Sequence, residues 1–292
     1  MNREKPGFTV TELLITIAII SMLVGILIPT LSVVRQTAKE VKQKAQLTAM
    51  EMALLAFKND YGDYPPSDPF SHNIPPPLPR DYCGAQKLAE ALLGQDLLGF
   101  HPGSSWSAID PCYINPSQAN LNKRKGPYLE LATTNAFRVG ISAPGMRDGL
   151  FTNAGILSPD RYVLCDVFGT KKVTVITPIT LEPRTFYAGT PILYYKANTS
   201  SKRIEPPMAT AIYNNADNEE LIKLGHLTAR NPNGTPKPHP LLNLSNFIPY
   251  IMDPKASTEP RPWPYRPDSY ILISAGADGF YGTDDDIRNF GD

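Results

Sequence analysis

Between Leu13 and Val34 the chain carries no charge at all. At about 1.5 Å per residue this stretch is roughly 33 Å long as a helix, enough for a hydrocarbon core of about 30 Å. It belongs to an apolar run, residues 8–34, that reads FTVTELLITIAIISMLVGILIPTLSVV behind the short polar leader MNREKPG. One acid, Glu12, lies within the run. A charge inside a membrane segment costs at least ~2.5 kcal/mol by insertion scales, so it is a functional hypothesis by default. A cleaved secretory signal has an apolar region of about 7–15 residues and then a small-residue site. This run is longer, and helix-forming VVRQTAKEVKQ follows it instead. A plain signal anchor fits the length but leaves Glu12 and the Gly7-Phe8 junction unexplained.

Lys5-Pro6-Gly7, then Phe8-Thr9-Val10-Thr11-Glu12-Leu13-Leu14, then an apolar helix with Pro29, resembles the class III signal of type IV prepilins and type II secretion pseudopilins. The resemblance implies that a prepilin peptidase cuts between Gly7 and Phe8 and methylates the new Phe8 amine. It also implies a single-pass inner-membrane protein with its C-terminal domain in the periplasm. Such a subunit self-assembles into a filament with other pseudopilins, driven by inner-membrane machinery with a separate ATPase. Glu12 fits this reading physically. After cleavage the Phe8 amine is a cation at the membrane edge, and a carboxylate four residues on has no partner in an apolar helix. Pairing with a neighbour's amine relieves an uncompensated buried charge, worth several kcal/mol. The pair would set the stagger between subunits, a register role known for buried polar groups. The alternative is that Glu12 merely reaches the headgroups. Gly25 and Pro29 sit where, by the same resemblance, the helix stretches or unwinds on assembly; a simple kink is the alternative.

Residues 35–64 read as an extramembrane continuation of the helix. They are rich in Ala, Leu, Lys, Glu and Gln, with no Pro or Gly before the breaker Tyr61-Gly62-Asp63-Tyr64-Pro65-Pro66. Val34, Ala38, Val41, Ala45, Thr48, Met52 and Leu55 share one face. Leu47, Met50, Leu54 and Phe57 form an adjacent stripe. One face is expected to seat a globular domain and the other to meet filament neighbours.

Residues 65–292 suffice for a single core with insertions. Helix first and strands later predicts an α+β domain, an antiparallel sheet packed on the long helix as in type IV pilins. The spacing predicts a helix over Gln86–Leu98 and strands over Arg161–Phe168, Lys172–Leu181, Thr190–Ala197 and Ser269–Ala275. The 30 prolines concentrate in 65–80 and 205–267, which read as loops or surface excursions outside the core. Net charge is zero and no basic patch carries interleaved aromatics, so nucleic-acid binding has no support. Of the three cysteines, Cys83 and Cys112 are expected to form a disulfide in an exported domain, and Cys165 to be a buried thiol. Gly126-Pro127-Tyr128-Leu129, Asp166-Val167-Phe168-Gly169 and Thr190-Pro191-Ile192-Leu193-Tyr194-Tyr195 resemble pseudopilin segments around the sheet. About 20 residues stand between the last two, and Val-Phe replaces the family's Pro-Trp.

Near the C-terminus, SYILISAGADGFYGTDDDIRNF runs from a strand into a turn with Gly276, Gly279 and Gly282 and acids at 278, 284, 285 and 286. Adjacent carboxylates repel unless a cation sits among them, and calcium takes oxygen ligands of this kind. The turn is not an EF-hand. It resembles the calcium loop of the major pseudopilin, with Phe290 in place of Trp and a shorter loop. On that resemblance Asp278, Asp284 and Asp286 are the expected side-chain ligands of a structural calcium, with backbone oxygens completing the shell. A solvated acidic turn is the alternative.

No catalytic motif is present: no H-E-x-x-H, Walker loop, nucleophile elbow or dinucleotide fingerprint. His72, His101, His226 and His239 stand apart in Pro- and Gly-rich surroundings. The expectation is a structural subunit of a type II secretion pseudopilus that supports protein export. A type IV pilin, a DNA-uptake pseudopilin and a membrane-anchored binding module are the alternatives. The globular part is large for a major subunit, which allows a minor or tip position.

Overall fold

The computed structural model describes residues 9–69, 81–114, 117–131, 134–141, 146–176, 182–204, 210–257 and 262–291. The leader 1–7, Phe8, His72 and most of the Pro-rich stretch 65–80 lie outside the described residues. The chain divides into two units, Met1–Val41 and Lys42–Asp292.

Helix α1 (Val10–Tyr61) runs 52 residues through Gly25 and Pro29. Its N-terminal part is long and apolar enough to cross a membrane. Leu13, Ile15, Ile20, Leu23, Ile26 and Leu27 there are all exposed. The few polar side chains turn back onto the helix. The hydroxyls of Thr16, Ser21 and Thr30 donate to the carbonyls of Leu13, Ile17 and Ile26 at 2.8, 2.7 and 2.9 Å. Those groups therefore need no water. At the far end Gly62 adopts φ +86° and donates its N–H to the Lys58 carbonyl at 2.7 Å, closing the helix.

In the second unit α1 buries Leu47, Met50, Leu54 and Phe57, while Ala45, Thr48, Met52 and Leu55 stay exposed. The stripe beginning at Leu47 is thus the one that seats the domain. Helix α2 (Gly84–Leu93) packs in the same core through Leu88 and Leu92. It stops short of the expected Leu98 because Gly94 turns the chain at φ +84°, where a Cβ would lie 2.2 Å from the Gly99 carbonyl oxygen. Two single turns follow, α3 (Pro111–Ile114) and α4 (Gln118–Leu121).

Strands β1 (Ala136–Gly140), β2 (Gly149–Phe151) and β3 (Tyr162–Leu164) form one small sheet, ordered β2-β1-β3. Its β1–β2 pair is parallel and its β1–β3 pair antiparallel. Strands β4 (Lys171–Ile176) and β5 (Pro183–Ala188) form an antiparallel pair. Strand β6 (Leu193–Lys196) pairs antiparallel with β7 (Tyr270–Ser274), and β7 with β8 (Ile287–Arg288). The register sets Leu193 opposite Ile273 and Lys196 opposite Tyr270.

Side chains alternate across this last sheet, as strand geometry requires. Tyr194, Tyr270 and Leu272 join Leu47, Met50 and Leu54 of α1. Leu193, Tyr195, Ile271 and Ile273 point the other way. They join Leu221 and Ile222 of α5 (Glu219–Lys223) and Phe247 and Ile251 of α6 (Leu244–Ile251). This corrects the expectation that 205–267 lies outside the core. Both faces of the sheet are apolar, so both need cover, and the proline-rich segment covers the second face.

The expected Cys83–Cys112 disulfide is also corrected. All three cysteines are free. Cys83 caps α2 deep in the core, donating its backbone N–H to Gln86 Oε1 at 3.1 Å, and burial pushes its thiol up to about 12. Cys112 sits in α3, where its thiol donates to the Gly103 carbonyl at 3.4 Å. Cys165 is buried, as expected.

Phe247 tests the covering role. Phe247→Ala should lower the unfolding free energy of the full chain by about 3–5 kcal/mol in chemical denaturation, as for a large aromatic removed from a core. An unchanged midpoint would mean that the segment lies on the domain without holding it.

Candidate functional site at the helix start and the C-terminal turn

The first turn of α1 is capped by its own acid. The Thr9 N–H and hydroxyl both donate to Glu12 Oε2, at 2.9 and 2.7 Å, and the Glu12 N–H donates to Thr9 Oγ1 at 3.3 Å. This is a capping box, signalled by the T-x-x-E pattern at 9–12. The sequence reading left Glu12 without a partner in its own chain. The structure gives it two hydrogen bonds there, from Thr9, and no ion pair among the described residues. Gly7 and Phe8, the expected cleavage junction, lie outside the described residues.

At the other end of the chain, β7 leads through the turn 275–286 into β8. Gly276 takes φ +63° where the turn crosses itself, and a Cβ there would lie 2.2 Å from the Asp285 carbonyl oxygen. The acids point in different directions. Asp278 accepts the Phe280 N–H at 2.7 Å. Asp285 accepts the Asp278 N–H at 2.9 Å and the Thr283 hydroxyl at 2.7 Å. Asp286 accepts the Gly282 N–H at 2.8 Å and the Tyr250 hydroxyl. Asp284 is exposed. The structure therefore does not bring Asp278, Asp284 and Asp286 together. It sets Asp278 beside Asp285 instead, where partial burial and the neighbouring carboxylate push Asp278 upward. Among the described residues, no group of three or more His, Cys, Asp or Glu side chains is placed to hold a metal. One oxygen of Asp286 is buried without a partner, and burial pushes this carboxyl up to about 7.

Sequence reading missed the residues that face this turn. His226 Nδ1 accepts the N–H groups of Thr228 and Ala229 at 3.1 and 2.7 Å. Its proton therefore sits on Nε2, which donates to the Asp278 carbonyl at 2.9 Å. His239 Nδ1 accepts the Tyr281 N–H at 3.3 Å, and burial holds this histidine down to about 4, hence neutral. The Phe280 ring packs beside both imidazoles, its centroid 4.4 Å from that of His226 and 5.8 Å from that of His239, with the two imidazoles 6.3 Å apart. No local motif marks either histidine; their role exists only once the turn and the segment meet.

The two loose mid-chain motifs do meet. Cys165 bridges Pro191, and Asp166 accepts the N–H groups of Phe168 and Thr190 at 3.0 and 3.2 Å. The intervening residues fold out as the β4–β5 pair, which explains the separation. Gly189 permits this, since a Cβ there would lie 2.0 Å from Asp166 Oδ1. Tyr128, from the Gly126–Leu129 motif, donates its hydroxyl to Asp60 of α1 at 2.6 Å.

Residues 2–28 match the model of the prokaryotic N-terminal methylation motif. An 87-residue stretch is 29% identical to type II secretion system core protein G of Dickeya chrysanthemi, covering 28% of this chain and 57% of that protein. A helix long and apolar enough for a membrane leads the chain, and these matches make it similar to prepilin-type proteins over two stretches. That likeness takes in the pseudopilins and points to a membrane-anchored structural subunit, not an enzyme. No solved structure matches the chain.

Buried Asp166 gives the domain a pH signature. Burial, reinforced by Asp285, pushes this carboxyl up to about 7 against the hydrogen bonds it accepts. A raised carboxyl binds more protons folded than unfolded. Its stabilising share is complete below the unfolded value near 4 and is lost as pH rises through about 7. Asp166→Asn should flatten the fall in melting temperature between about pH 4 and pH 7 relative to wild type. Parallel curves would contradict the shift.

Proposed function

We propose that this chain is a subunit of a type II secretion pseudopilus, and that it supports protein export by assembling. On this reading prepilin peptidase cuts between Gly7 and Phe8 and methylates the Phe8 amine. The subunit waits in the inner membrane with residues 42–292 in the periplasm. Membrane machinery with its own ATPase then adds it, with other pseudopilins, to a short filament that pushes outward.

The observation that carries the reading is the methylation motif over residues 2–28 together with the exposed apolar flank of α1 behind it. The similarity to the core protein G of Dickeya chrysanthemi supports secretion over a pilus. Glu12 then has two successive roles. Before processing it caps its own helix through Thr9. After processing a neighbour's Phe8 amine supplies the positive charge that Thr9 cannot.

Glu12→Gln separates these roles, because the amide oxygen still accepts from Thr9 while the charge is gone. The variant should insert into the membrane and lose its leader normally. Filament yield should fall at least roughly a hundredfold, since leaving one charge of a buried pair alone costs about 3–5 kcal/mol. Wild-type yield of sheared filaments from Glu12→Gln cells would refute the pairing.

A further inference from the structure

The C-terminal turn is where a structural calcium is expected, yet Asp278, Asp285 and one oxygen of Asp286 already accept hydrogen bonds from the protein. We infer that residues 226–250 are a built-in clamp that holds the turn 275–286 by hydrogen bonds, so that this chain orders the turn without a divalent cation.

Four bonds cross from the segment to the turn, spread along its length. His226 Nε2 donates to the Asp278 carbonyl at 2.9 Å, taking a backbone oxygen that a cation would use. His239 Nδ1 accepts the Tyr281 N–H at 3.3 Å, and the Leu241 N–H donates to the Tyr281 carbonyl at 3.1 Å. The Tyr250 hydroxyl donates to Asp286. Two glycines of the turn fit this approach. A Cβ on Gly279, at φ +74°, would lie 2.7 Å from His226 Nε2; one on Gly282, at φ +90°, would lie 3.1 Å from the Leu241 nitrogen. These close approaches tie the glycines to the segment across the turn as well as to the turn's own curvature. The clamp is anchored in turn, since α6 carries Tyr250 between the buried residues Phe247 and Ile251.

The inference concerns the domain alone and holds whether or not the chain assembles. It is tested by melting the full chain in detergent with excess calcium chloride and with EGTA. The wild-type midpoints should agree within roughly 1 °C, where a site saturated a hundredfold gives a shift of several degrees. Tyr250→Phe and His226→Ala should each lower the midpoint by about 3–8 °C, the range for losing a strong hydrogen bond in a domain of this size, with calcium restoring neither. A drop of several degrees on adding EGTA to wild type overturns the inference. So does calcium rescue of Tyr250→Phe, or an unaltered midpoint in both variants.

Discussion

The architecture of residues 42–292 depends on one stripe of α1. Leu47, Met50 and Leu54 are buried against Tyr194, Tyr270 and Leu272 of the β6–β7 pair and against Leu88 and Leu92 of α2. Burial of side chains of this size stabilises by about 1.5–3 kcal/mol each, so this contact decides which face of the sheet meets the helix. Polar ties fix its position. Gln43 accepts the Val167 N–H and Gln46 donates to the Cys165 carbonyl, both at 2.9 Å. Glu51 receives Arg266 at 2.5 Å and Asn289 at 3.0 Å. The helix is thus bound to β3's end, to the approach to β7 and to the chain's last strand.

Strand alternation carries the consequence through the sheet. With one face on α1, Leu193, Tyr195, Ile271 and Ile273 face away and need their own cover. The segment leading to α5 and α6 supplies it. Its prolines fix extended backbone and helix starts, as at Pro240 in the short turn before α6, without preventing burial of Leu241, Phe247 and Ile251. The same segment then presents His226, His239 and Tyr250 to the C-terminal turn. Core cover and turn clamp are one piece of chain.

Much of this was legible in residues alone. The apolar run, its single acid and the stripe at 47, 50, 54 and 57 follow from helical periodicity, which is local. So does the stop at Gly62. Strands β6 and β7 were found because Leu193–Tyr195 and Tyr270–Ile273 are rich in β-forming side chains. Their unbroken apolar character also carried an unused signal: a strand with no polar alternation is buried on both faces. That signal contradicts placing 205–267 outside the core. Short strands such as β2 and β8 have too few residues to show a period. The engagement of His226 and of Asp166 depends on partners 52 and 24 residues away, which no local pattern reports. The capping box at Thr9 and Glu12 was readable but was overshadowed by the membrane setting of the acid.

The functional account rests on chemistry at one peptide bond. On the proposed reading, the acid in the first turn of α1 meets a free amine only once that bond is cut. The direct measurement is the intact mass of the protein extracted from its native membrane. The account predicts a chain that begins at Phe8, lacks residues 1–7 and carries one added methyl group. A mass that includes Met1 through Gly7 would contradict it.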